Sequence, residues 1–542
     1  MEPKSRPCVF LGYSKNQSVY LCLDLVSQKI FVSRHVMFDE TKFPFEHVTA
    51  DLTQTESNST HRPTATASEC PNSSSMSTAP PSTTDTLELT CATHAIKDTN
   101  WKKAMMEELK ALRRNNTWEL VHEPSDRTVV GCKWVFRVKR NADGSVASLV
   151  VKPVTIRLVL SIAIANGWSF KQMDVNNAFL QGDLTDEVYM KQPPVLYDKK
   201  NPEMVCKLKK AIYGLKQAPR AWYCALSNFL ISFGFKNSIA DTSLFIYQTG
   251  SILAYLLVYV DDLILTGNDG NFLQRFSTTL ANKFSIKDLV QLHCVLGIEV
   301  LHTPKGLFLS QSKYIADILN KANMVGAKEC TNPLSVASPL KLHDGTVNKL
   351  SQFMHKPSTL HLQALKIVLR YLKGTIQHGF LLSSAATTSL KMYTDSDWAS
   401  DADDRRSTSA YIVYHGSNPI SWCFKKQKTV ARSSNEAEYR AIALGVSELT
   451  WIQSLLNELQ VKVPKAPTIF CDNLSATYTC ANPVFHTRMK HLALDYFFVR
   501  EKVSAGVLNI KHIPTQEELA DALTKPLSTE ISEVDFQDWC LR

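Results

Sequence analysis

The segment ILAYLLVYVDDLILTG, residues 252–267, places two apolar runs on either side of Asp261 and Asp262. Short runs rich in Val, Ile, Leu and Tyr predict two β-strands, here joined by a tight hairpin at Tyr259–Asp262. A two-residue hairpin turn normally uses Asn-Gly or Asp-Gly because it needs positive φ, and adjacent Asp side chains repel each other. Asp-Asp by itself is most often a solvated turn, and a bound cation is the alternative.

A third acid makes a bound cation the better explanation of Asp261 and Asp262 than a solvated turn. Asp174 ends the predicted strand SFKQMD, and NNAFL then opens a helix. If this strand lies beside the hairpin, Asp174, Asp261 and the backbone carbonyl of Val175 can hold two Mg²⁺ ions, with Mn²⁺ as an alternative. Such a pair activates an attacking 3′-oxygen and stabilises a leaving pyrophosphate. Phe179 would then lie under the incoming sugar, where its ring excludes a 2′-hydroxyl and favours deoxynucleotides.

The segment KLKKAIYGLKQAPRAWY, residues 207–223, combines cations with aromatic rings. Its candidate residues are Lys207, Lys209, Lys210, Tyr213, Lys216, Arg220, Trp222 and Tyr223, beside Gly214 and Pro219. Cations neutralise phosphates and rings stack on bases, so the segment suits a nucleic-acid template path. An amphipathic helix with a solvated basic face explains the same pattern equally well.

Four acids in the C-terminal part follow an ordered pattern. Asp395 ends strand KMYTD, Glu438 lies on the helix NEAEYRAIAL, Asp472 ends strand TIFCD, and Asp521 lies in the helix LADALTK. Each acid alone is more often a helix cap or a surface charge. Together, two strand ends and two helices can gather four carboxylates at one sheet edge, where they repel unless cations lie between them. His512, in KHIPTQEE, is a candidate for proton transfer or product release.

Bulk properties set broad limits on the class of protein. The 542 residues suggest three or four domains, and the formal charge of +9 mildly favours a polyanionic partner. The 13 Cys occur without CxxC pairs, which indicates a reduced, intracellular protein. The start MEPKSRPCVF lacks a signal peptide, and the most apolar stretch, Ile252 to Val260, is too short to span a bilayer. No membrane segment is predicted.

The remaining pattern predicts several folded pieces. Short strands across residues 9–38 predict a small β-barrel, and the Ser/Thr/Pro-rich stretch at residues 49–90 predicts a disordered linker. A helix is predicted after Asn100 as N-cap, with Trp101, Met105, Leu109 and Leu112 on one stripe, followed by strand KWVFRVKR and turn NADG. A mixed segment at about 385–527 contains a long helix, Glu436 to Leu459, and a last helix near Glu517 to Leu523.

These motifs resemble the downstream part of the Pol polyprotein of copia-type (Ty1/copia) long-terminal-repeat retrotransposons. The resemblance is carried by QMDVNNAFLQGDL, AIYGLKQAPRAWY, YVDDLILTG, LFLSQSKYIADIL, YTDSDWASDADDRRSTSAY, SSNEAEYRA, FCDNLSA and HIPTQEELADALTKPL. It implies a multi-domain α+β chain: a small SH3-like β-barrel, a right-hand polymerase (palm, fingers and thumb) and an α/β ribonuclease H-like domain.

By this resemblance, Asp174, Asp261 and Asp262 are the reverse transcriptase acids. The ribonuclease H acids are Asp395, Glu438, Asp472 and Asp521, with His512 assisting. Residues implied in nucleotide or template binding are Val175, Phe179, Tyr213, Gly214, Pro219 and Tyr259. The implied partners are an RNA template, a DNA primer, RNA·DNA hybrid and deoxynucleoside triphosphates, in a cytoplasmic particle or the nucleus.

The resemblance also sets domain boundaries: SH3-like tail 1–48, linker 49–95, reverse transcriptase 96–330, connection 331–384, ribonuclease H 385–530 and tail 531–542. Three departures matter. No integrase core precedes the SH3-like piece, so an incomplete element is expected. A fingers block, with the Lys and Arg residues that grip the triphosphate, is missing near 148–150, and a connection block is missing near 346–347. An impaired polymerase is therefore expected, and an inactive nucleic-acid-binding relic or an incomplete gene model is the alternative.

Overall fold

The computed structural model describes the backbone of residues 9–13, 20–24 and 29–33, and then residues 99–132, 152–193, 197–198, 200–289, 292–295, 297–331, 358–385, 387–401, 404–482 and 492–525. The predicted linker, the predicted strand KWVFRVKR with its turn NADG, and the C-terminal tail lie outside these residues. Among the described residues, no helix combines the length and the apolar character needed to cross a bilayer.

The N-terminal piece contains the strands β1 Val9–Tyr13, β2 Tyr20–Asp24 and β3 Lys29–Ser33. They form an antiparallel sheet in the order β1-β2-β3. The register between β1 and β2 shifts between Phe10 and Gly12, which is a β-bulge of the kind that bends a strand in a small barrel. The predicted all-β start of the chain is confirmed for these strands.

The rest of the chain alternates helices and strands. The helices are α1 Thr99–Arg114, α2 Pro153–Ala165, α3 Ala218–Phe233, α4 Gly270–Lys283, α5 Ser312–Lys321, α6 Thr359–Gly374, α7 Ser434–Glu458, α8 Leu474–Ala481, α9 Ala493–Ser504 and α10 Asp521–Thr524, with 3₁₀ helices Ala178–Gln181 and Thr515–Glu517. The strands are β4 Trp118–His122, β5 Val129–Val130, β6 Ser169–Val175, β7 Asp183–Met190, β8 Met204–Lys210, β9 Phe235–Asn237, β10 Leu244–Thr249, β11 Ile252–Tyr259, β12 Asp262–Gly267, β13 Ile286–Asp288, β14 Cys294–Val295, β15 Ile298–Thr303, β16 Gly306–Ser310, β17 Gly379–Ser383, β18 Leu390–Asp397, β19 Thr408–His415, β20 Asn418–Lys426, β21 Thr468–Cys471 and β22 Asn509–His512.

Two predicted helix ends need correction. The first helix begins at Thr99, so Asn100 lies inside α1 and is not its N-cap. Met105 and Leu109 are buried, as the predicted stripe requires. The single last helix predicted near Glu517 to Leu523 is instead a 3₁₀ turn followed by the short α10, which starts at Asp521.

The predicted hairpin lies within a six-stranded antiparallel sheet, the central sheet, with the order β13-β6-β12-β11-β10-β9. One face packs against α3 and α4 through a core that contains Met173, Trp222 and Phe276. The other face packs against α2, whose residues from Thr155 to Ala163 are all buried. Because both faces are covered, β11 and β12 are apolar at nearly every position, which explains their continuous apolar runs.

Three further sheets complete the described fold. The orders are β4-β8-β7-β5 beside the central sheet, β14-β15-β16-β17 after it, and β20-β19-β18-β21-β22, called the C-terminal sheet. In the C-terminal sheet β18, β19 and β20 are antiparallel, whereas β21 and β22 run parallel to β18. The helix α7 crosses this sheet at Gly445, where an added Cβ would lie 2.4 Å from the sulfur of Met392. A side chain at this position would therefore displace the Met392 side chain from its place between α7 and β18.

Helix α2 also contacts the C-terminal sheet, so the central and C-terminal sheets share one hydrophobic core. Members of this core from both sides include Ile156, Val159, Tyr255, Leu257, Val413, Ile420, Ile442 and Leu455. Within it, Arg157 is 8% exposed, donates from Nε to the carbonyl of Ile420 at 2.7 Å, and lies 3.9 Å from the ring centre of Trp422. Ser161 Oγ lies 3.0 Å from Nδ1 of the buried His415. The two sheets are therefore joined by buried polar contacts as well as by apolar packing.

Candidate functional sites

The central sheet brings Asp174 and Asp262 together. Asp262 opens β12 and lies directly opposite Asp174 near the end of β6, in the antiparallel register of these two strands. Directly opposite residues project from the same face with Cβ atoms about 5 Å apart. The carbonyl of Asp261 accepts a hydrogen bond from the backbone N–H of Val175 at 2.8 Å, which ties the turn to the end of β6. All three predicted acids thus meet at one end of the sheet, with Tyr259 opposite Asp262 in the hairpin.

The turn itself differs by one residue from the prediction. β11 ends at Tyr259 and β12 starts at Asp262, so Val260 and Asp261 form the turn and Asp262 is already in the strand. Val260 has φ of +50°, which is a strained conformation for a β-branched residue and costs on the order of 1–3 kcal/mol. Neither the Asp-Asp pair nor any glycine supplies the positive φ.

Trp222 holds this strained turn. Its indole N–H donates to the carbonyl of Val260 at 2.6 Å, and its ring meets Phe284 edge-on at 5.2 Å. Trp222 is 1% exposed, so it cannot stack on template bases as the sequence suggested. Trp222 therefore has a structural role, because it holds the turn that carries Asp261.

The other residues of that segment divide into two groups. Lys207, Lys209 and Lys210 pair with carboxylates of neighbouring strands at 2.6, 2.7 and 2.7 Å, so their charges are partly neutralised. Pro219 is buried in the first turn of α3, and the Tyr223 hydroxyl donates to the carbonyl of Thr242 at 2.8 Å.

The exposed group lies near the predicted nucleotide side. Tyr213 is 78% exposed and its ring centre lies 5.9 Å from that of Phe179. Gly214, with φ of +100°, follows it on the surface, and Lys216 and Arg220 are exposed too. Phe179 and Tyr213 are therefore brought together, on a part of the surface where two cations remain open to solvent.

The C-terminal sheet collects the second set of acids. Asp395 near the end of β18 is 2% exposed, and Glu438 on α7 is 5% exposed. Carboxylate oxygens of Asp395, Asp472 and Asp521 lie within 4.8 Å of one another, and Glu438, Cys471 and Asp472 form a second such group. Asp395, Glu438 and Asp472 line one open groove of about 490 Å³. The four predicted acids thus form a single cluster, called the carboxylate cluster.

Neighbouring groups fix these side chains in place. The hydroxyl of Thr524 donates to Asp395, the hydroxyl of Thr515 donates to Asp472 at 3.0 Å, and the N–H of Ser396 donates to Glu438 at 3.1 Å. Lys525 lies 2.7 Å from Asp521 and 4.0 Å from Asp395. One ammonium among four carboxylates offsets only part of their repulsion.

The proton affinities of the cluster reflect this crowding. Burial, followed by the charges of Asp395 and Asp472, raises the pKa of Glu438 to about 9. Burial also raises the pKa of Asp521 to about 6, against the hydrogen bond from Lys525. The pKa of Asp395 is raised by burial as well. Carboxylate oxygens at this spacing are the ligands that Mg²⁺ and Mn²⁺ prefer, and a dication would offset the repulsion, so the residues fit such an ion.

His512 lies beside the cluster at the end of β22. Its Nε2 is 3.1 Å from the backbone carbonyl of Asp472, and the side chain is exposed. The predicted proximity to the acids is found, and the contact runs to Asp472 rather than to Asp521.

Two buried residues at the cluster escaped the sequence reasoning. Glu518 is 4% exposed, and burial raises its pKa to about 9. Within the described residues its Oε2 has no hydrogen-bond partner, while Asp395 and Asp472 lie near enough to influence it. Cys471 is fully buried with its sulfur 3.8 Å from Glu438. Glu518 lies between the 3₁₀ turn and α10, outside both helices, so helical spacing gave no signal for it.

Comparisons with known proteins identify related domains in two parts of the chain. A family model described as reverse transcriptase (RNA-dependent DNA polymerase) matches residues 143–336, and one described as retroviral polymerase SH3-like domain matches residues 1–51. The retrovirus-related Pol polyprotein from transposon RE1 of Arabidopsis thaliana is 49% identical over 489 residues, which are 81% of this chain and 33% of that protein. The chain thus spans about a third of the length of that relative.

A shorter relative is covered completely. The putative transposon Ty5-1 protein YCL074W of Saccharomyces cerevisiae is 30% identical over 308 residues, 51% of this chain and 100% of that protein. Among solved structures, the foamy viral protease-reverse transcriptase in complex with dsDNA matches 77% of this chain and 84% of that one, with a TM-score of 0.37 and 11% identity.

Proposed function

The chain belongs to the Pol polyproteins of copia-type long-terminal-repeat retrotransposons, as its sequence predicts, and on this premise we propose that it is an RNA-directed DNA polymerase with ribonuclease H activity on RNA·DNA hybrids. The observation that carries the nuclease half is the carboxylate cluster, in which Asp395, Asp472 and Asp521 have oxygens within 4.8 Å. For the polymerase half it is the opposition of Asp174 and Asp262.

We propose the domain division that the sequence predicted: SH3-like 1–48, linker 49–95, reverse transcriptase 96–330, connection 331–384, ribonuclease H 385–530 and tail 531–542. The match of the SH3-like model to residues 1–51 and of the reverse transcriptase model to residues 143–336 supports the first and third of these. The C-terminal sheet, whose five strands all lie between Leu390 and His512, supports the fifth.

In the nuclease site, Asp395, Glu438, Asp472 and Asp521 would hold two Mg²⁺ ions, or Mn²⁺. Such ions supply an activated water and charge stabilisation for the leaving oxygen of the RNA strand. The carboxylates hold their positions through Thr524, Ser396 and Thr515, so little reorganisation is needed on binding. His512 at the rim would exchange a proton with the product.

In the polymerase site, Asp174, Asp261 and the carbonyl of Val175 would hold the ions, with Asp262 beside them. Phe179 would lie against the deoxyribose of the incoming nucleotide, and Tyr213, Gly214, Pro219 and Tyr259 would shape the nucleotide and template side.

The polymerase of this chain would be weak. The fingers block missing near 148–150 carries cations that position the triphosphate, and positioning with charge neutralisation supplies most of the rate in phosphoryl transfer. Three of the cations in the 207–223 segment are also committed to carboxylates of neighbouring strands.

A hybrid-cleavage assay tests the nuclease half. Purified chain with Mg²⁺ is expected to cut the RNA strand of a labelled RNA·DNA hybrid, and Asp395→Asn is expected to lower the rate at least a hundredfold. Asp404→Asn is the matched control, because Asp404 pairs with Lys426 outside the groove. Cleavage that survives Asp395→Asn would contradict the proposed site.

Primer extension on an RNA template tests the polymerase half. Slow extension that Asp174→Asn abolishes and the exposed Asp186→Asn leaves unchanged is the expected result. The missing fingers block also favours a second candidate, a relic that binds hybrids without turning them over. Salt-sensitive hybrid binding with neither extension nor cleavage would identify that relic.

A further inference from the structure

The groove of the carboxylate cluster has an aromatic wall. Trp398 lies three residues after Asp395, lines the same groove, and is 50% exposed. Tryptophan carries a large apolar surface and is highly buried on average in folded proteins. A half-exposed indole beside four carboxylates is therefore not explained by the packing of the core.

The indole is held in a fixed position. Its N–H donates to the backbone carbonyl of Ala431 at 3.1 Å. The next residue, Ala399, has φ of +54°, and its N–H donates to Ser407 Oγ at 3.1 Å, so the chain turns sharply just after the ring. Because the only hydrogen-bonding group of Trp398 is already used by the protein, the exposed surface offers a flat apolar face and nothing polar.

The apolar face of the Trp398 indole, and its position in the groove of the carboxylate cluster, indicate which part of a substrate it contacts. A groove lined by Asp395, Glu438 and Asp472 must admit the backbone of the strand that is cut. In an RNA·DNA hybrid the base faces are stacked inside the duplex, whereas the wide, shallow minor groove displays the sugars. The apolar surface nearest to a scissile phosphate is then the ring of a neighbouring ribose.

We propose that Trp398 is a substrate-contacting residue of the nuclease, whose indole packs against the ribose next to the scissile phosphate of the RNA strand. This contact rests on the proposed ribonuclease H function, and it assigns the ribose as the part of the substrate that Trp398 binds. Ser400 and Asn473, which line the same groove, offer polar groups next to this apolar contact.

Steady-state cleavage of a labelled hybrid by the full chain with Mg²⁺ tests the contact. Trp398→Ala is expected to raise KM at least tenfold while kcat stays within about twofold, since loss of an aromatic contact to nucleic acid acts mainly on binding. Trp398→Phe keeps a ring and is expected to raise KM less than threefold. Phe424→Ala, which removes another exposed ring on β20 outside the groove, is the matched control and is expected to change neither constant.

Equilibrium binding separates this contact from the proposed activity. The Kd of each variant for the hybrid is measured by fluorescence anisotropy with EDTA in place of Mg²⁺, so no cleavage is required. If the wild type never cleaves but Trp398→Ala still weakens binding tenfold, the proposed activity fails and the contact stands. If Trp398→Ala lowers kcat or thermal stability while KM and Kd stay unchanged, or if Phe424→Ala has the same effect as Trp398→Ala, the contact is refuted.

Discussion

Replacing Glu438 by Gln should stabilise the metal-free protein. Glu438 is 5% exposed, and burial with the neighbouring charges raises its pKa from 4.5 to about 9. A carboxyl with a raised pKa binds its proton more tightly in the folded state, so the folded state loses stability as the pH rises from 4.5 toward 9. At about 1.4 kcal/mol per pH unit, the loss reaches about 3 kcal/mol at pH 7. Gln has the same shape and carries no charge, so the variant avoids that loss.

Urea unfolding in EDTA measures the effect. At pH 5 the free energies of unfolding of wild type and Glu438→Gln should agree within about 1 kcal/mol, and at pH 7 the variant should be more stable by about 3 kcal/mol. Adding Mg²⁺ should stabilise the wild type more than the variant, because a bound dication offsets the carboxylate charges. Glu501→Gln, at an exposed position of α9, is the control and should show no pH-dependent difference. A variant equal to wild type, or less stable, at pH 7 would refute the electrostatic reasoning.

Three further outcomes are expected. Trp222→Phe removes the hydrogen bond to the carbonyl of Val260, so primer extension should fall severalfold while hybrid cleavage stays unchanged in the same preparation. Arg157→Met leaves the carbonyl of Ile420 without its donor and should lower the free energy of urea unfolding by about 1–3 kcal/mol. Burial lowers the pKa of His415 to about 4, so wild type should lose about 3 kcal/mol of stability as the pH falls from 6.5 to 4, and His415→Gln should not show this loss in urea titrations across that range.

The acids could be found from the sequence because strand ends carry them. Continuous apolar runs marked β11 and β12, and the observed antiparallel register of β6 with β12 places Asp174 opposite Asp262. Asp395, two residues before the end of β18, and Asp472, directly after β21, are brought together by the parallel pairing of these two strands. Local sequence patterns are therefore enough to predict a site whose residues are brought together by strand pairing.

The residues that hold the acids in position could not be predicted from local sequence patterns. The positive φ of Val260 and the indole of Trp222 beneath it depend on a contact across 38 residues, and no local signal separates a buried Trp from an exposed one in a segment rich in cations. The same segment has lysines whose acidic partners lie on other strands, so their neutralisation is a tertiary property. Glu518 was missed because its burial depends on how α10 packs against the C-terminal sheet.

The shared core explains how the chain would keep both sets of acids if, as the sequence predicts, it lacks two family blocks. The first predicted gap, near 148–150, falls just before α2, and the second, near 346–347, lies outside the described residues. Helix α2 itself is retained, and it packs against the central sheet through Ile156 and against the C-terminal sheet through Arg157. Because these two sheets and the helix between them position the acids, the predicted loss of the blocks would remove groups that bind a nucleotide or guide a duplex. It would not remove what holds the carboxylates. The expected defect is therefore in substrate positioning. It should lower the rate of polymerisation, which must align two substrates, more than the rate of hybrid cleavage, which must align one.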